Sequence, residues 1–180
     1  MISIISGATA PSFDHPLEML RACHGKILRQ CDTLQKLAEH LERKGCDQQV
    51  QQAAQGILRY FDTAGQFHHQ DEEQDLFPAL RAAAGADNLT LSALLERLLA
   101  EHVFMLAAWE ALQPVLLKLA QGNQAMLTAE LSENFIARYT DHIAIENAEL
   151  LPLAARLLDL QQMELIGRRM AERRGAKFPA

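Results

Sequence analysis

Apolar residues recur at steps of three and four along most of the chain. Over the first helical stretch these positions are Leu17, Leu20, Ile27, Leu28, Cys31, Leu34 and Leu41. This spacing places apolar side chains on one face of an α-helix. Leucine and alanine are abundant and β-branched residues are sparse, which also favours helices over strands. The pattern therefore predicts an all-α protein.

Three turn-forming segments divide the helical pattern, at 43–47, 83–88 and 121–124, and each contains a glycine together with asparagine or aspartate. The predicted helices are four long ones and a short fifth: roughly Pro16–Arg43, Gln48–Ala82, Leu89–Ala120, Gln124–Leu158 and Gln161–Arg173. Short connections favour antiparallel neighbours, so we expect an up-down-up-down four-helix bundle with a short extra C-terminal helix. The expected divisions are an N-terminal extension at 1–15, the bundle at 16–158, and the C-terminal helix with a basic tail at 159–180.

Two stretches of the chain repeat one polar pattern within this apolar background. Each copy has a phenylalanine, a histidine seven residues later, a glutamate four residues after that, and a proline six residues further on. The first copy starts at Phe61 and the second at Phe135. The repeated polar residues are His68 and Glu72 in the first copy and His142 and Glu146 in the second.

The repeat also selects between two overlapping pairs. His69 and Glu73 are four residues apart like His68 and Glu72, but Ile143 and Asn147 occupy their places in the second copy. We therefore predict that His68 and Glu72 carry the chemistry.

A histidine and a glutamate four residues apart lie on the same helix face and can bind one metal. His24 and His102, both flanked by apolar residues at core spacing, are candidates for further ligands. A rise of about 1.5 Å per residue, counted from the predicted turns, brings these residues to one level of the bundle. Six polar side chains in a core without partners would cost several kcal/mol each. The sequence therefore predicts a metal site formed by His24, His68, Glu72, His102, His142 and Glu146.

Four imidazoles and two carboxylates exceed the needs of one tetrahedral zinc ion. They suit two first-row metal ions bridged by the carboxylates. Mixed nitrogen and oxygen ligands with open positions favour iron, with manganese or zinc as alternatives. In ferritin-like di-iron proteins the motif is Glu-x-x-His, whereas here the histidine precedes the glutamate, which argues against a ferritin.

These residues resemble the hemerythrin-like HHE cation-binding domain over roughly residues 16–155. The resemblance is carried by His24, His102 and the two H-x3-E pairs, which are followed by EEQDLFP and ENAELLP. It implies a left-handed four-helix bundle around a non-haem di-iron centre. It also implies that Glu72 and Glu146 bridge the irons and that two of the four histidines bind each iron.

The chain departs from the oxygen-carrying hemerythrins at two positions. Their third helix has H-x3-H, but here Leu106 lies four residues after His102; their last helix has H-x4-D, but here it is H-x3-E. The ligand set is more similar to that of bacterial proteins that repair iron centres. The leading hypothesis is a di-iron protein that binds or processes O2, NO or peroxide, or handles iron under redox or nitrosative stress. Whether it is an enzyme stays open.

The sequence leaves two other functions open. One is an oxygen or redox sensor that acts through a separate protein partner, and the other is a metal-free helical interaction module. Partner classes follow from composition: 17 Lys+Arg against 23 Asp+Glu give a net charge of −6, which argues against nucleic acid. Apolar runs shorter than a bilayer span and the lack of a signal-peptide pattern predict a cytoplasmic protein that does not bind membranes. A homodimer stays open.

Several further residues carry weaker expectations. The three cysteines, Cys23, Cys31 and Cys46, show no CxxC pairing and are expected to be reduced thiols. His15 and His40 are expected at the surface, and Trp109 in the core. The acidic residues beside Glu72 are expected to form a solvated face, from which one could hydrogen-bond a ligand imidazole; they are Asp71, Glu73 and Asp75.

Overall fold

The computed structural model describes residues 11–85 and 87–179. The expected N-terminal extension at 1–15 lies mostly outside the described residues. The described chain is all-helical and contains no strand. Helix α1 is Pro16–Lys44, α2 spans 48–84, α3 is Leu89–Ala120, α4 spans 129–157, and α5 is Leu160–Arg173. The all-α prediction is therefore confirmed.

Side-chain caps explain where the helices begin. Asp47 accepts hydrogen bonds from the backbone N–H groups of Gln49 and Val50 at the start of α2, and Asp159 forms a capping box with Gln162 at the start of α5. The prediction that the fourth helix begins at Gln124 is wrong. The helix begins at Ala129, because Thr128 has extended backbone angles and its hydroxyl accepts the N–H of Leu131.

Helices α2 and α4 contain wider π-helical turns. In α2 these are Phe61–Gly65 (π1) and Asp71–Leu76 (π2), and in α4 the turn is Glu146–Leu150 (π3). Segments π2 and π3 both end two residues before a proline, Pro78 or Pro152. Proline has no N–H to donate and its ring crowds the carbonyl four residues earlier, so a widened turn relieves that crowding. Segments π2 and π3 therefore follow from the same repeat that supplies the glutamates.

The four long helices pack side by side: α1 contacts α2 and α4, and α3 contacts the same two helices. Three hydrogen bonds between α2 and α3 show that these two run antiparallel, since the residue number rises along one while it falls along the other. They join Gln55 to Ala120, Asp62 to Gln113 and Glu73 to His102. The architecture is a helical bundle. The complete up-down-up-down order and its left-handed twist stay predictions.

The apolar core is divided into two clusters by a polar layer. One cluster contains residues of α1 and α3 that follow His24 and His102, together with residues of α2 and α4 up to Ile143. The other contains residues on the opposite side of the same positions, and helix α5 adds Ile166 and Met170 to it. The six predicted ligands thus lie at the boundary between the two clusters, which is the common level expected from helix geometry.

Helix α5 is bound to π2 by buried ion pairs. Asp71 is fully buried and pairs with Arg173 and Arg174, while Asp75 pairs with Arg169 and Arg173. The expectation that Asp71 and Asp75 form a solvated face is therefore wrong. The basic C-terminal helix covers both carboxylates, and its arginines compensate their charge.

Helix α3 meets the length and composition of a membrane span, with a mean hydropathy of 1.4 over its most apolar 18 residues. It nevertheless contacts α2 and α4 along its length and brings His102 and Trp109 into the protein interior. This is the behaviour of a core helix in a helical bundle, and polar groups at its buried face argue against a lipid environment.

Candidate metal centre

The structure brings all six predicted residues together in the polar layer. His24 and His68 lie on α1 and α2, and His102 and His142 lie on α3 and α4, while Glu72 and Glu146 are at the starts of the widened turns. They form two overlapping groups, and in each group one donor atom per residue lies within 4.8 Å of every other. The groups are His24, His68, Glu72 and Glu146, and Glu72, His102, His142 and Glu146.

Each carboxylate turns one oxygen toward each group. Oε1 of Glu72 is 3.5 Å from Nε2 of His68, and Oε2 of Glu72 is 3.5 Å from Nε2 of His102. Glu146 repeats the arrangement: its Oε2 is 3.1 Å from Nε2 of His24, and its Oε1 is 3.1 Å from Nε2 of His142. Both glutamates therefore lie between two pairs of imidazoles, as bridging ligands do.

The imidazoles converge in the manner of neighbouring metal ligands. Nε2 of His102 and Nε2 of His142 are 3.0 Å apart. Two nitrogens at right angles on one ion, each about 2.1 Å from it, would be separated by about 3 Å. The spacing thus fits one ion between these two side chains.

Several donor atoms of the centre are buried but lack a hydrogen-bond partner among the described residues. They are Nε2 of His24, both ring nitrogens of His68, and all four carboxylate oxygens of Glu72 and Glu146. The His24 Nε2 to Glu146 Oε2 distance is short, but the atoms are not aligned for a hydrogen bond. Leaving so many buried polar atoms unpaired would be costly, whereas a bound cation would satisfy them. The residues present therefore fit a metal centre.

Comparison with known proteins agrees with this geometry. Residues 15–154 match the family described as the hemerythrin HHE cation binding domain. The chain belongs to this hemerythrin family. It is also similar to an uncharacterized protein of Haemophilus influenzae, with 33% identity over 166 residues that cover 92% of this chain and 94% of the relative.

Three ligand-type histidines of this hemerythrin-family chain are held by a hydrogen bond at the ring nitrogen that faces away from the centre. Nδ1 of His24 forms a hydrogen bond with Oδ1 of Asn147 at 3.0 Å. In the same way, Nδ1 of His102 is hydrogen-bonded to Glu73 at 2.6 Å, and Nδ1 of His142 is hydrogen-bonded to Glu101 at 2.8 Å. Such bonds fix the tautomer and leave Nε2 free for a metal.

The partners of His24 and His102 come from equivalent positions of the repeat. Asn147 follows Glu146, and Glu73 follows Glu72. The expectation that one acidic neighbour of Glu72 would hydrogen-bond a ligand imidazole is confirmed for Glu73. Glu101 was not predicted, although its position directly before His102 was visible in the sequence. Its contact to His142 depends on how α3 and α4 pack.

The hemerythrin-family centre carries protons on two imidazoles in the absence of metal. Burial opposes a charged His24, yet the adjacent Glu146 and Glu72 carboxylates raise the pKa of His24 to about 10. Burial likewise opposes a charged His142, but Glu146 raises its pKa to about 9. Burial and the nearby Glu146 charge raise the pKa of Glu72 well above its usual range. Protons thus supply part of the positive charge that a cation would bring.

Aromatic residues close one side of the hemerythrin-family centre. Phe61 and Phe135, the phenylalanines of the repeat, are buried and meet edge to face with ring centroids 4.9 Å apart. Trp109 packs 5.2 Å from Phe61, which confirms its predicted place in the core. Tyr139 lies between this cluster and the ring of His69, 6.0 Å away. These side chains exclude water from that side.

The remaining predicted residues lie away from the metal groups. Cys23, Cys31 and Cys46 are free thiols, as expected, and none of them belongs to either group of donor atoms. The side chain of His15 is 64% exposed, as predicted. His40 is partly buried because its Nε2 contacts the carboxylate of Asp47, the cap of α2, at 2.7 Å.

Proposed function

We propose that this protein holds two first-row metal ions, iron in the first instance, and binds or processes a small oxidant such as O2, NO or peroxide, or handles iron under redox or nitrosative stress. In this proposal His24 and His68 bind one ion, His102 and His142 bind the other, and Glu72 and Glu146 bridge them. Manganese or zinc are the alternative metals. The observation that carries the proposal is that each glutamate directs one oxygen to each pair of imidazoles.

The chain's own residues would prepare the site in three ways. Asn147, Glu73 and Glu101 orient three imidazoles by hydrogen bonds to Nδ1. The buried phenylalanines of the repeat keep water from one side, which strengthens electrostatic interactions within the site. The two protonated imidazoles release their protons when a cation enters. A bound pair of iron ions would supply the redox chemistry.

Donor counting supports a site with room for a small ligand. Each pair of imidazoles and the two carboxylate oxygens facing it provide four donors, whereas iron commonly accepts six. The free positions would admit a diatomic molecule or peroxide. We further propose that the protein works in the cytoplasm, that it binds neither nucleic acid nor membranes, and that it can form a homodimer.

The test of this function is the reaction of iron-loaded protein with each oxidant. Protein loaded anaerobically with ferrous iron is mixed in a stopped-flow spectrometer with O2, NO or hydrogen peroxide. We expect an optical change with at least one of them that is faster than that of free ferrous iron and is lost in His142→Ala. The exposed variant His15→Ala is the control and should react normally. Rates no faster than those of free iron would contradict the proposal.

A second candidate function, a redox sensor, is favoured by one specific contact. Asp71 lies directly before Glu72 and is buried against Arg173, the last residue of α5, and Arg174, which follows it. A displacement of Glu72 would therefore reach the C-terminal helix, where a partner protein could detect it. Amide hydrogen exchange in α5 should then differ between oxidised and reduced metal-loaded protein. Equal exchange in both states would exclude this role.

A further inference from the structure

Helix α3 carries an apolar surface on the side that faces away from the bundle. Val103 and Phe104 on this side are 65% and 55% exposed. A surface helix of a bundle usually has polar residues on its outer side, whereas α3 is apolar on both sides. Contiguous exposed apolar patches mark interaction surfaces. The outward residues form what we call the α3 face: Ala100, Val103, Phe104, Ala107, Ala111 and Pro114, all of them exposed.

The α3 face has one charged residue at each end, and the two charges are opposite. Glu96 and Lys118 are each eleven residues from Ala107, and since about eleven residues make three helical turns, all three lie along one side of α3. Both charged side chains are exposed, and neither forms an ion pair within the part of the chain that the structure describes. Arg97, next to Glu96, pairs with Glu101 instead. The edge of the face carries Glu110, about 60° around the helix from Ala107.

This arrangement of charges is complementary to a second copy of itself. In a twofold dimer both copies use the same surface, so a residue on one side of the axis meets the residue equally far on the other side. Two antiparallel α3 helices with the axis at Ala107 would bring Glu96 of each copy to Lys118 of the other. Ala100 would likewise meet Pro114, so the centre of the contact is apolar. Small side chains along the middle of the face allow the helix axes to approach to about 8 Å.

We propose that a second copy of this chain docks antiparallel on the α3 face, with the twofold axis at Ala107 and an ion pair between Glu96 and Lys118 at each end of the contact. The α3 face thereby deepens the proposed function, which includes a homodimer, and the association requires no metal. In the dimer α3 is covered on both sides, as a helix that is apolar all round normally is. The contact also removes water from the outer side of the segment that carries His102.

The test exchanges the two charges, which are about 33 Å apart within one chain and can meet only between copies. Sedimentation velocity in low-salt buffer, over a range of protein concentrations, compares wild type, Glu96→Lys, Lys118→Glu and the double variant. We expect wild type to dimerise and each single variant to dimerise at least about tenfold more weakly, because like charges then face each other. The double variant should regain most of the affinity. The control Glu42→Lys changes an exposed glutamate of α1 and should associate like wild type.

Cross-linking locates the twofold axis independently. In Ala107→Cys the two new thiols lie beside the axis and should form a disulfide between copies on mild oxidation, whereas in Ala93→Cys they lie far apart and should not. Wild type, whose own cysteines are free thiols, gives the background.

Three results would overturn the docking of a second copy on the α3 face. They are a wild type that stays monomeric at all concentrations, a dimer that the single charge changes leave unaffected, and cross-linking through Ala93→Cys rather than Ala107→Cys. A monomer that binds lipid vesicles through α3 would also overturn it and assign the face to a membrane surface. A monomer that still binds two metal ions and reacts with an oxidant would leave the metal-dependent function intact.

Discussion

The hydrogen bonds at the ring nitrogens that face away from the centre set the orientation of His24, His102 and His142 toward a metal. His102 depends on Glu73, which is two-fifths exposed, whereas His142 depends on Glu101. These residues touch no donor atom of the other metal group, so their effect should be confined to one ion. The centre is thus built from side chains whose individual contributions can be measured separately.

Glu73→Ala should lower the affinity for one of the two metal ions, the one beside His102, by about 10–100-fold. The reason is that His102 loses the hydrogen bond that fixes its tautomer and orientation. The measurement is a competition titration with a chelator of known affinity. The matched control is Glu149→Ala, because Glu149 is an exposed glutamate in the second copy of the repeat. This variant should leave both metal affinities unchanged. Equal affinities in Glu73→Ala and wild type would show that the contact has no role.

Metal binding at pH 7 should release at least two protons per chain, because the raised pKa values of His24 and His142, about 10 and about 9, keep both imidazoles protonated until a cation displaces the protons. Glu72, whose pKa is also raised, adds to this release when it binds the metal. The metal affinity should accordingly rise with pH from 7 toward 9. In the metal-free protein the sign is opposite: the stabilisation by these protonated imidazoles is complete below pH 6.5 and is lost as the pH rises through 9 and 10.

Calorimetric titration in buffers of different ionisation enthalpy measures the released protons directly. A heat of binding that is the same in all buffers would mean that no proton leaves, and it would contradict the charge state assigned to the two imidazoles.

At the scale of single elements, α5 stabilises π2, the widened turn that carries Glu72. Its arginines neutralise two carboxylates that are 0% and 4% exposed. Without them, Asp71 and Asp75 would remain buried and charged beside the metal centre. The short C-terminal helix therefore contributes to the geometry of the site as well as to the apolar core.

Arg173→Ala should lower the free energy of unfolding by about 2 to 3 kcal/mol, because it removes one of the two arginine partners of each buried carboxylate, Asp71 and Asp75. Arg168→Ala, on the same helix, removes an ion pair whose two side chains are half exposed, and it should cost less than about 1 kcal/mol. Urea unfolding of both variants gives the comparison. Similar losses of unfolding free energy in the two variants would contradict the stabilisation of π2 by α5.

Gly167 marks the place where α5 meets the segment before α1. A side-chain carbon at this position would collide with the carbonyl oxygen of Phe13, so Gly167→Ala should lower the melting temperature. Gly56→Ala is the matched control: nothing lies within 4 Å of the added carbon, and alanine in a helix is favoured by about 1 kcal/mol. A Gly167→Ala protein as stable as wild type would mean that the segment packs elsewhere.

At the scale of the whole molecule, the sequence predicted most of the helices because their apolar periodicity and glycine turns are local signals. The common level of the six polar residues was also predictable, since helix rise converts sequence distance into length. The late start of α4 was missed because Thr128, the residue that caps it, looked like a part of the helix. The burial of Asp71 and Asp75 was missed because it depends on α5, whose docking leaves no local pattern near π2.

His69 shows the limit of the repeat as a guide. The comparison of the two copies separates Glu72 from Glu73, and the two make different contacts: Glu72 belongs to both groups of donor atoms, whereas Glu73 hydrogen-bonds His102. The same comparison set His69 aside, because a residue that is present in only one copy cannot be found by internal symmetry. Its ring lies 4.1 Å from that of His102 only because α2 and α3 pack together, and no local pattern in the sequence indicates that contact.

The central claim is that the polar layer holds two metal ions, and metal content tests it most directly. The protein is purified without chelator, and metals are counted by elemental mass spectrometry beside an optical spectrum in air and after reduction. We expect about two ions per chain, mainly iron as mixed nitrogen and oxygen ligands favour, with a near-ultraviolet band that reduction bleaches. His68→Ala and His142→Ala should each lower the content, and His15→Ala should not. Protein that contains no metal and takes up none on anaerobic addition of iron would contradict the account.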